Sequence, residues 1–280
     1  MRAKRTRIEN ASFVIDSIKA LGLQPHRDSR LMQMYRVLVE NPKIRAGERN
    51  FEIALESERD LQVLAFIFDC AESQPNDTEF RRLIKIALKD SVLPQENTNG
   101  SKGRDAQFEL FVAAICQSAR LSPINREEPD VTCVIHGRKY CIAAKRVKSV
   151  ARLENRLKEA ANQIYRTSWP GIIALETSMA LNRENERIIV PISNEEFGRL
   201  YKQAFDHFVD DFHDRIQNWV YGKWVRGIVL HDQQVRFESD GDWSLAGMSY
   251  WISTLGKCQD CEREFLQFKY AYIKGLPNLH

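Results

Sequence analysis

The sequence has no uninterrupted apolar run that approaches the ~18 residues of a membrane-spanning helix. Its basic N-terminal stretch, residues 1–7, is not followed by the apolar core of a secretory signal. Its six cysteines have no dense or regular spacing, and several lie inside apolar runs, which argues against a disulfide framework. We therefore expect a soluble, cytoplasmic protein that makes no membrane contact.

Charge of one sign is also scarce. The formal net charge is +3 over 280 residues, so the charge of the whole chain identifies no class of partner. The sequence contains neither a phosphate-binding glycine loop nor the nucleophile elbow of a serine hydrolase. Its composition, 43% hydrophobic and 28% charged, is that of an ordinary globular protein with about two domains. Evidence for function therefore has to come from local groups of residues.

The first third of the chain has repeated amphipathic helical patterns. In one of them, Phe13, Ile15, Ile18 and Leu21 form a stripe that ends at Gly22, an expected helix stop. Such stripes are typical of core packing, and we predict an all-α N-terminal domain over residues 1–97. This domain is a candidate surface for a homodimer or a protein partner. The polar, turn-rich stretch 94–102 is interpreted as a linker, so the second domain is 98–280.

The second domain alternates between helical and strand patterns, which predicts an α/β fold with a mixed central sheet flanked by helices. Side chains alternate between the two faces of a strand, so Ala143 and Lys145 share one face, and small side chains at 143 and 144 leave room beside the lysine. Residues 243–280 mix aromatic and charged residues and receive no assignment. The predicted elements, in order, are helix 105–119, strands 131–135 and 139–144, helix 150–167, strand 171–175, helix 194–219 and strand 225–230.

One part of this domain has the residue types that can hold a divalent metal beside a phosphate. Glu109 lies at the edge of the apolar stripe of a helix, Asp130 follows Pro129 at a strand start, and Lys145 is late in the next strand. Magnesium prefers carboxylate, carbonyl and water oxygens, and a nearby lysine can stabilise a charged phosphate. Two acids and one lysine on adjacent elements are thus a sensible minimum for phosphodiester hydrolysis.

These residues, with Gln163 in the following helix, resemble the PD-(D/E)xK nuclease superfamily. The resemblance covers about residues 103–175 and implies a restriction-endonuclease-like core. It implies that Glu109, Asp130, Lys145 and Gln163 are catalytic, and that Mg²⁺ or Mn²⁺ is bound by Glu109, Asp130 and the Ala144 carbonyl. It further implies a DNA endonuclease, although the residues leave the choice between DNA and RNA open.

The chain departs from the family pattern at Ala143, where the family usually has Glu or Asp. Loss of that acid weakens metal binding unless Glu109 replaces it; Glu127 and Glu128 are further substitutes, but they precede the strand in a position typical of solvated residues. The alternative interpretation is a catalytically inactive nuclease-fold module that binds nucleic acid or a protein partner.

Basic residues crowd the interval from 138 to 158, where Glu154 is the only acid. Such a cluster beside a metal site attracts a polyanion, with binding that weakens as salt rises. We predict nucleic-acid contacts from Arg146, Lys148, Arg152 and Arg156.

Two other groups contain residue types that bind metals. Cys258 and Cys261 form a lone CxxC, and zinc would need two more ligands, for which His231 and His280 are candidates. His207 and His213 are six residues apart on a predicted helix, so they face different directions and do not form a helical metal pair.

Overall fold

The structure is a computed structural model, and it describes residues 5–40, 50–71, 77–96, 101–122, 124, 128–181, 194–237, 243–254 and 259–277. Glu127, Cys258 and His280 lie outside these ranges. Within the ranges, no helix is both long enough and apolar enough to cross a membrane.

The chain divides into two compact units, Met1–Ala114 and Ile115–His280. The division falls inside a helix, Lys102–Ser118, which is α5 in chain order. The predicted boundary at residue 97 precedes this helix and stays a prediction.

The described residues before 97 form helices and one short 3-10 turn, Pro94–Glu96. The first helix begins with a capping box, in which the Thr6 hydroxyl accepts from the Glu9 amide and the Glu9 carboxylate accepts from the Thr6 amide. It ends before Gly22, whose φ of 69° is the left-handed conformation expected of a glycine stop. That these residues form an independent all-α domain stays a prediction. The helices are α1 (Arg7–Ala20), α2 (Arg30–Glu40), α3 (Phe51–Ala71) and α4 (Thr78–Ala87).

The second unit contains a five-stranded mixed sheet flanked by helices, which confirms the predicted α/β class. The strand order is β1-β2-β3-β4-β5; the three central strands are parallel to one another, and both outer strands are antiparallel to their neighbours. The restriction-endonuclease-like assignment of this sheet stays a prediction. The strands are β1 (Val131–Ile135), β2 (Arg138–Arg146), β3 (Gly171–Glu176), β4 (Val225–Phe237) and β5 (Trp243–Ser253), and the later helices are α6 (Leu153–Thr167), α7 (Ser178–Leu181), α8 (Asn194–Val220) and α9 (Gln259–Ile273).

Helices cover both faces of the sheet. Cys141 and Ala143 of β2 point into a buried apolar cluster that includes Leu157 of α6 and Phe205 of α8. Residues of the opposite parity point to the other face, where Tyr140 packs against Phe268 of α9. Because side chains alternate along a strand, Lys145 lies on the α6 face of the sheet and Arg146 on the α9 face.

The region that received no assignment forms β5 and α9. β4 continues past its apolar part, from Asp232 to Phe237, because it pairs with β5 over that whole length. An antiparallel strand at the border of a sheet can leave one face in water, so polar residues continue the ladder without an apolar run to mark it. The predicted strand 225–230 was therefore too short.

Candidate functional site

Asp130 is held beside the last residues of β2. The β1–β2 ladder ends where Val131 pairs with Ile142, so Asp130 comes next to the part of β2 that continues past this ladder. Its Oδ2 atom accepts from the Ala144 backbone amide at 2.7 Å and from Lys145 Nζ at 2.8 Å. The structure thus brings two of the sequence-predicted site residues, Asp130 and Lys145, into direct contact around Ala144.

This ion pair is largely shielded from water. The side chain of Lys145 is 10% exposed and that of Asp130 is 18% exposed. Burial raises the pKa of Asp130, while the Lys145 ammonium and the Ala144 amide act in the opposite direction without cancelling that effect, and the charge of Glu159 adds to the increase. Any further positive charge placed next to Asp130 therefore favours its ionised form.

Helix α6 presents polar side chains to the same region. Glu159, Gln163 and Arg166 are spaced three or four residues apart and so share one face. Glu159 acts electrostatically on Asp130, and Arg166 lies 3.9 Å from Glu128, two residues before Asp130. Gln163 stands between them on the helix, and its Oε1 atom is buried without a hydrogen-bond partner among the described residues. This oxygen is an unused acceptor on the face of α6 that approaches the Asp130 segment.

The donor atoms present here suit a hard cation. The Asp130 carboxylate, the Ala144 carbonyl and Gln163 Oε1 are all oxygens, the ligand type that Mg²⁺ and Mn²⁺ prefer. No group of three His, Cys, Asp or Glu side chains that could hold a metal occurs in the described ranges. Because Mg²⁺ usually keeps several waters and takes only one or two carboxylates, such a group is not required for it.

Ala143 borders no open space, so it does not provide the room that was expected beside Lys145. The residue is fully buried in the apolar cluster with Leu157 and Ala160 of α6. Ala144 is partly exposed, so the backbone of the site is accessible at that residue. Position 143, where the resemblance expects an acid, is therefore part of the apolar core.

Glu109 belongs to the first unit, on α5, and is partly buried. Its carboxylate raises the pKa of Arg82 on α4, after the larger effect of the Glu79 hydrogen bond on that arginine. Its predicted role as a metal ligand stays a prediction.

The predicted nucleic-acid-binding residues differ in their surroundings. Arg146 is buried, and its Nε donates to Glu176 at 2.8 Å, so a phosphate would have to compete with that carboxylate. Arg152 is exposed and Lys148 is partly exposed. Arg156 pairs with Glu159 at 2.9 Å on the surface, where such pairs are weak and can exchange for a phosphate.

Sequence reasoning missed a second polar group at this end of the sheet. The ends of the parallel strands bring Arg146, Glu176 and His231 into adjacent register positions. His231 is buried, with one ring nitrogen 3.0 Å from the Tyr272 hydroxyl and the other 3.2 Å from the Ser249 hydroxyl. These bonds occupy both nitrogens, which argues against the zinc role considered for His231. The only sequence signal was a histidine directly after a buried strand.

The buried imidazole predicts a stability loss in acid. Burial lowers the pKa of His231 to about 3, against the opposing effect of Glu176, whereas the ordinary value is 6.5. The unfolded chain therefore takes up a proton between these values that the folded protein refuses, so the stability due to neutral His231 is present above pH 6.5 and is lost as the pH falls toward 3. We expect a slope of up to about 1.4 kcal/mol per pH unit from this residue.

The measurement is urea unfolding followed by tryptophan fluorescence, because all five tryptophans lie in the second unit. His231→Gln, which keeps a donor and an acceptor, should flatten the slope between pH 6 and 4. His213→Gln is the control, since that histidine is 51% exposed. An unchanged slope in His231→Gln would contradict the assignment.

Comparisons with protein-family models, with curated proteins and with solved structures find no match to this chain.

Proposed function

We propose that the second unit is a metal-dependent nuclease that hydrolyses phosphodiester bonds, with DNA as the substrate and endonucleolytic cleavage as the reaction. The observation that carries the proposal is the shared contact of one Asp130 carboxylate oxygen with the Ala144 amide and the Lys145 ammonium. An acid and a lysine meet at the end of a sheet, where the family resemblance expects them.

Asp130, the Ala144 carbonyl and Gln163 are the residues of this unit that would hold the metal. When bound, Mg²⁺ or Mn²⁺ supplies positive charge for the phosphate oxygens and a more acidic water as nucleophile. Lys145 is the cation that can donate to a non-bridging phosphate oxygen or orient the attacking water. The resemblance also implies a role for Glu109, which stays a prediction.

The accessible cations of this region would contact the substrate. Lys148, Arg152 and Arg156 lie just after β2 or in the first turns of α6, next to Lys145 in the chain. Arg146 is given a different role from the one predicted, because its bond to Glu176 makes it a support for the strand ends.

The second candidate function is an inactive nuclease-fold module that binds nucleic acid or a protein. The burial of Ala143 favours it, because the position of the family acid is given to the apolar core. In this case the Asp130–Lys145 ion pair has a structural role and takes no part in catalysis.

A cleavage assay separates the two candidates. We expect nicking of supercoiled plasmid, or cleavage of single-stranded DNA, with Mg²⁺ or Mn²⁺, and none with EDTA. Asp130→Asn protein purified in parallel controls for contaminating nucleases. Absence of cleavage, together with absence of a metal-induced rise in Tm, would reject the nuclease and leave the inactive module. RNA run beside DNA identifies the polymer.

A further inference from the structure

A group of aromatic and basic residues lies at the opposite end of the sheet from Asp130. Helix α6 ends there, and the turn between α8 and β4 adjoins it, because the Gly171 amide donates to the Trp224 carbonyl at 3.1 Å. We call this group the aromatic edge; its members are Lys139, Tyr165, Trp169, Tyr221, Lys223 and Trp224.

Three of the four aromatic rings of this edge are exposed, and the fourth, Trp169, is partly buried. Tyr165 is 50% exposed, Tyr221 is 83% exposed and Trp224 is 42% exposed. Trp224 also has a φ of 63°, a left-handed conformation that is rare for a bulky residue. The fold thus holds a large aromatic side chain outward at a backbone position that disfavours it, which is a common property of binding sites.

Three of the four rings of the aromatic edge, those of Tyr165, Trp169 and Trp224, have a cation beside them. Lys139 Nζ lies 3.7 Å from the Trp169 ring centroid, and Lys223 Nζ lies 4.7 Å from that of Tyr165. The Arg226 guanidinium is 5.4 Å from the Trp224 ring and is also bound to Glu264. A ligand that contacts these rings therefore meets positive charge at the same point.

A flat group joined to an anion matches this surface. Unpaired nucleic-acid bases stack on aromatic side chains, and their phosphates are neutralised by lysine and arginine; every base has a π-face, so such binding tolerates any sequence. We propose that the aromatic edge binds unpaired bases of a single-stranded nucleic acid. Such a ligand contacts both the rings and the charges, whereas an apolar protein partner would not use the charges.

The position of the aromatic edge relates it to the proposed nuclease site. Lys139 and Lys145 are six residues apart on β2, so the two places are separated by ~20 Å along the strand. Helix α6 runs between them and carries Arg156 and Arg166 on partly exposed or exposed positions, and the exposed Arg152 lies directly before its first residue. That the aromatic edge guides substrate to the nuclease site rests on the proposed function. If it does so, the nuclease should prefer DNA with a single-stranded segment.

The test is binding of a fluorescent oligothymidine of about 16 nucleotides, measured by anisotropy in EDTA so that no cleavage occurs. Tyr165→Ala and Trp224→Ala should each weaken binding by about tenfold, while Trp224→Phe keeps it. Lys223→Gln should reduce the slope of log K against log salt by about 0.7. Tyr270→Ala is the matched control, because Tyr270 is 64% exposed on α9, away from the aromatic edge.

Equal binding by the wild type, Tyr165→Ala and Trp224→Ala would overturn the inference. So would an equal loss for blunt duplex DNA, since paired bases cannot stack on a side chain. If the variants show the tenfold losses but the wild type cleaves nothing, the single-strand binding site is supported and the nuclease is rejected. If the wild type cleaves DNA but the variants bind as tightly as it does, the nuclease is supported and the binding site is rejected.

Discussion

Asp130→Asn is expected to lower metal-dependent cleavage by about a hundredfold to a thousandfold. The substitution preserves the shape of the side chain. Its amide oxygen can still accept from the Ala144 backbone amide, whose nitrogen lies 2.7 Å from Asp130 Oδ2 in the wild-type protein. What it removes is the negative charge that a metal needs. The substitution should therefore lower kcat, whereas the tryptophan fluorescence of the folded second unit should stay unchanged.

Lys145→Ala should cause a loss of similar size, because it removes the one cation that contacts Asp130 at 2.8 Å in the described structure. The double variant should be no worse than the poorer single variant, since residues that act as a unit are not additive. Lys158→Ala is the matched control; that lysine is 52% exposed and pairs with Glu154 on the surface of α6. Cleavage that survives in both single variants would reject the site.

Metal binding provides a readout that does not depend on activity. Mn²⁺ should raise the Tm of the wild-type protein through preferential binding to the folded state, and it should not raise the Tm of Asp130→Asn. An equal rise in both proteins would show that the ion binds elsewhere.

Asp60→Ala should reduce the free energy of unfolding of the first unit by about 3–5 kcal/mol, because it leaves two buried arginines without their shared carboxylate. Arg30 and Arg104 are 1% and 3% exposed in their side chains, and both bind Asp60. Gln107 on α5 accepts from Arg30 at 2.6 Å. The network joins α2, α3 and α5, so its loss affects all three helices.

The same contacts determine the charge of Asp60. Burial raises the pKa of Asp60, but Arg104 and Arg30 outweigh it and hold the pKa below the ordinary 3.8. This contribution to stability is therefore present above pH 3.8 and is lost as the pH falls below it.

Urea unfolding followed by far-UV circular dichroism measures the effect of Asp60→Ala. The control is Asp69→Ala, which removes the Arg5 ion pair of the same unit. Both side chains of that pair are 25% exposed, so we expect a loss of no more than about 1 kcal/mol. Equal losses in the two variants would contradict the special role of the buried network.

Local patterns along the chain predicted some elements of the second unit closely. The strand 131–135 agrees with β1, and the helix 150–167 agrees with α6 and the 3-10 turn before it. Both are short-range features, since apolar spacing and the glycine of the His136–Gly137 turn are read from neighbouring residues. The end of β4 was not predicted, because its partner strand lies in a part of the chain with no clear periodicity.

Residue types and their order determined that an acid after proline, a lysine late in a strand and a helix with Gln163 were available for one site. Which side chains meet was decided only by the tertiary structure. It joins Asp130 to Lys145, buries Ala143 in the core and directs Arg146 to Glu176. It also gathers the aromatic edge from three separate segments. These outcomes depend on strand register and on which helix covers each face, and contacts between residues far apart in the chain set both.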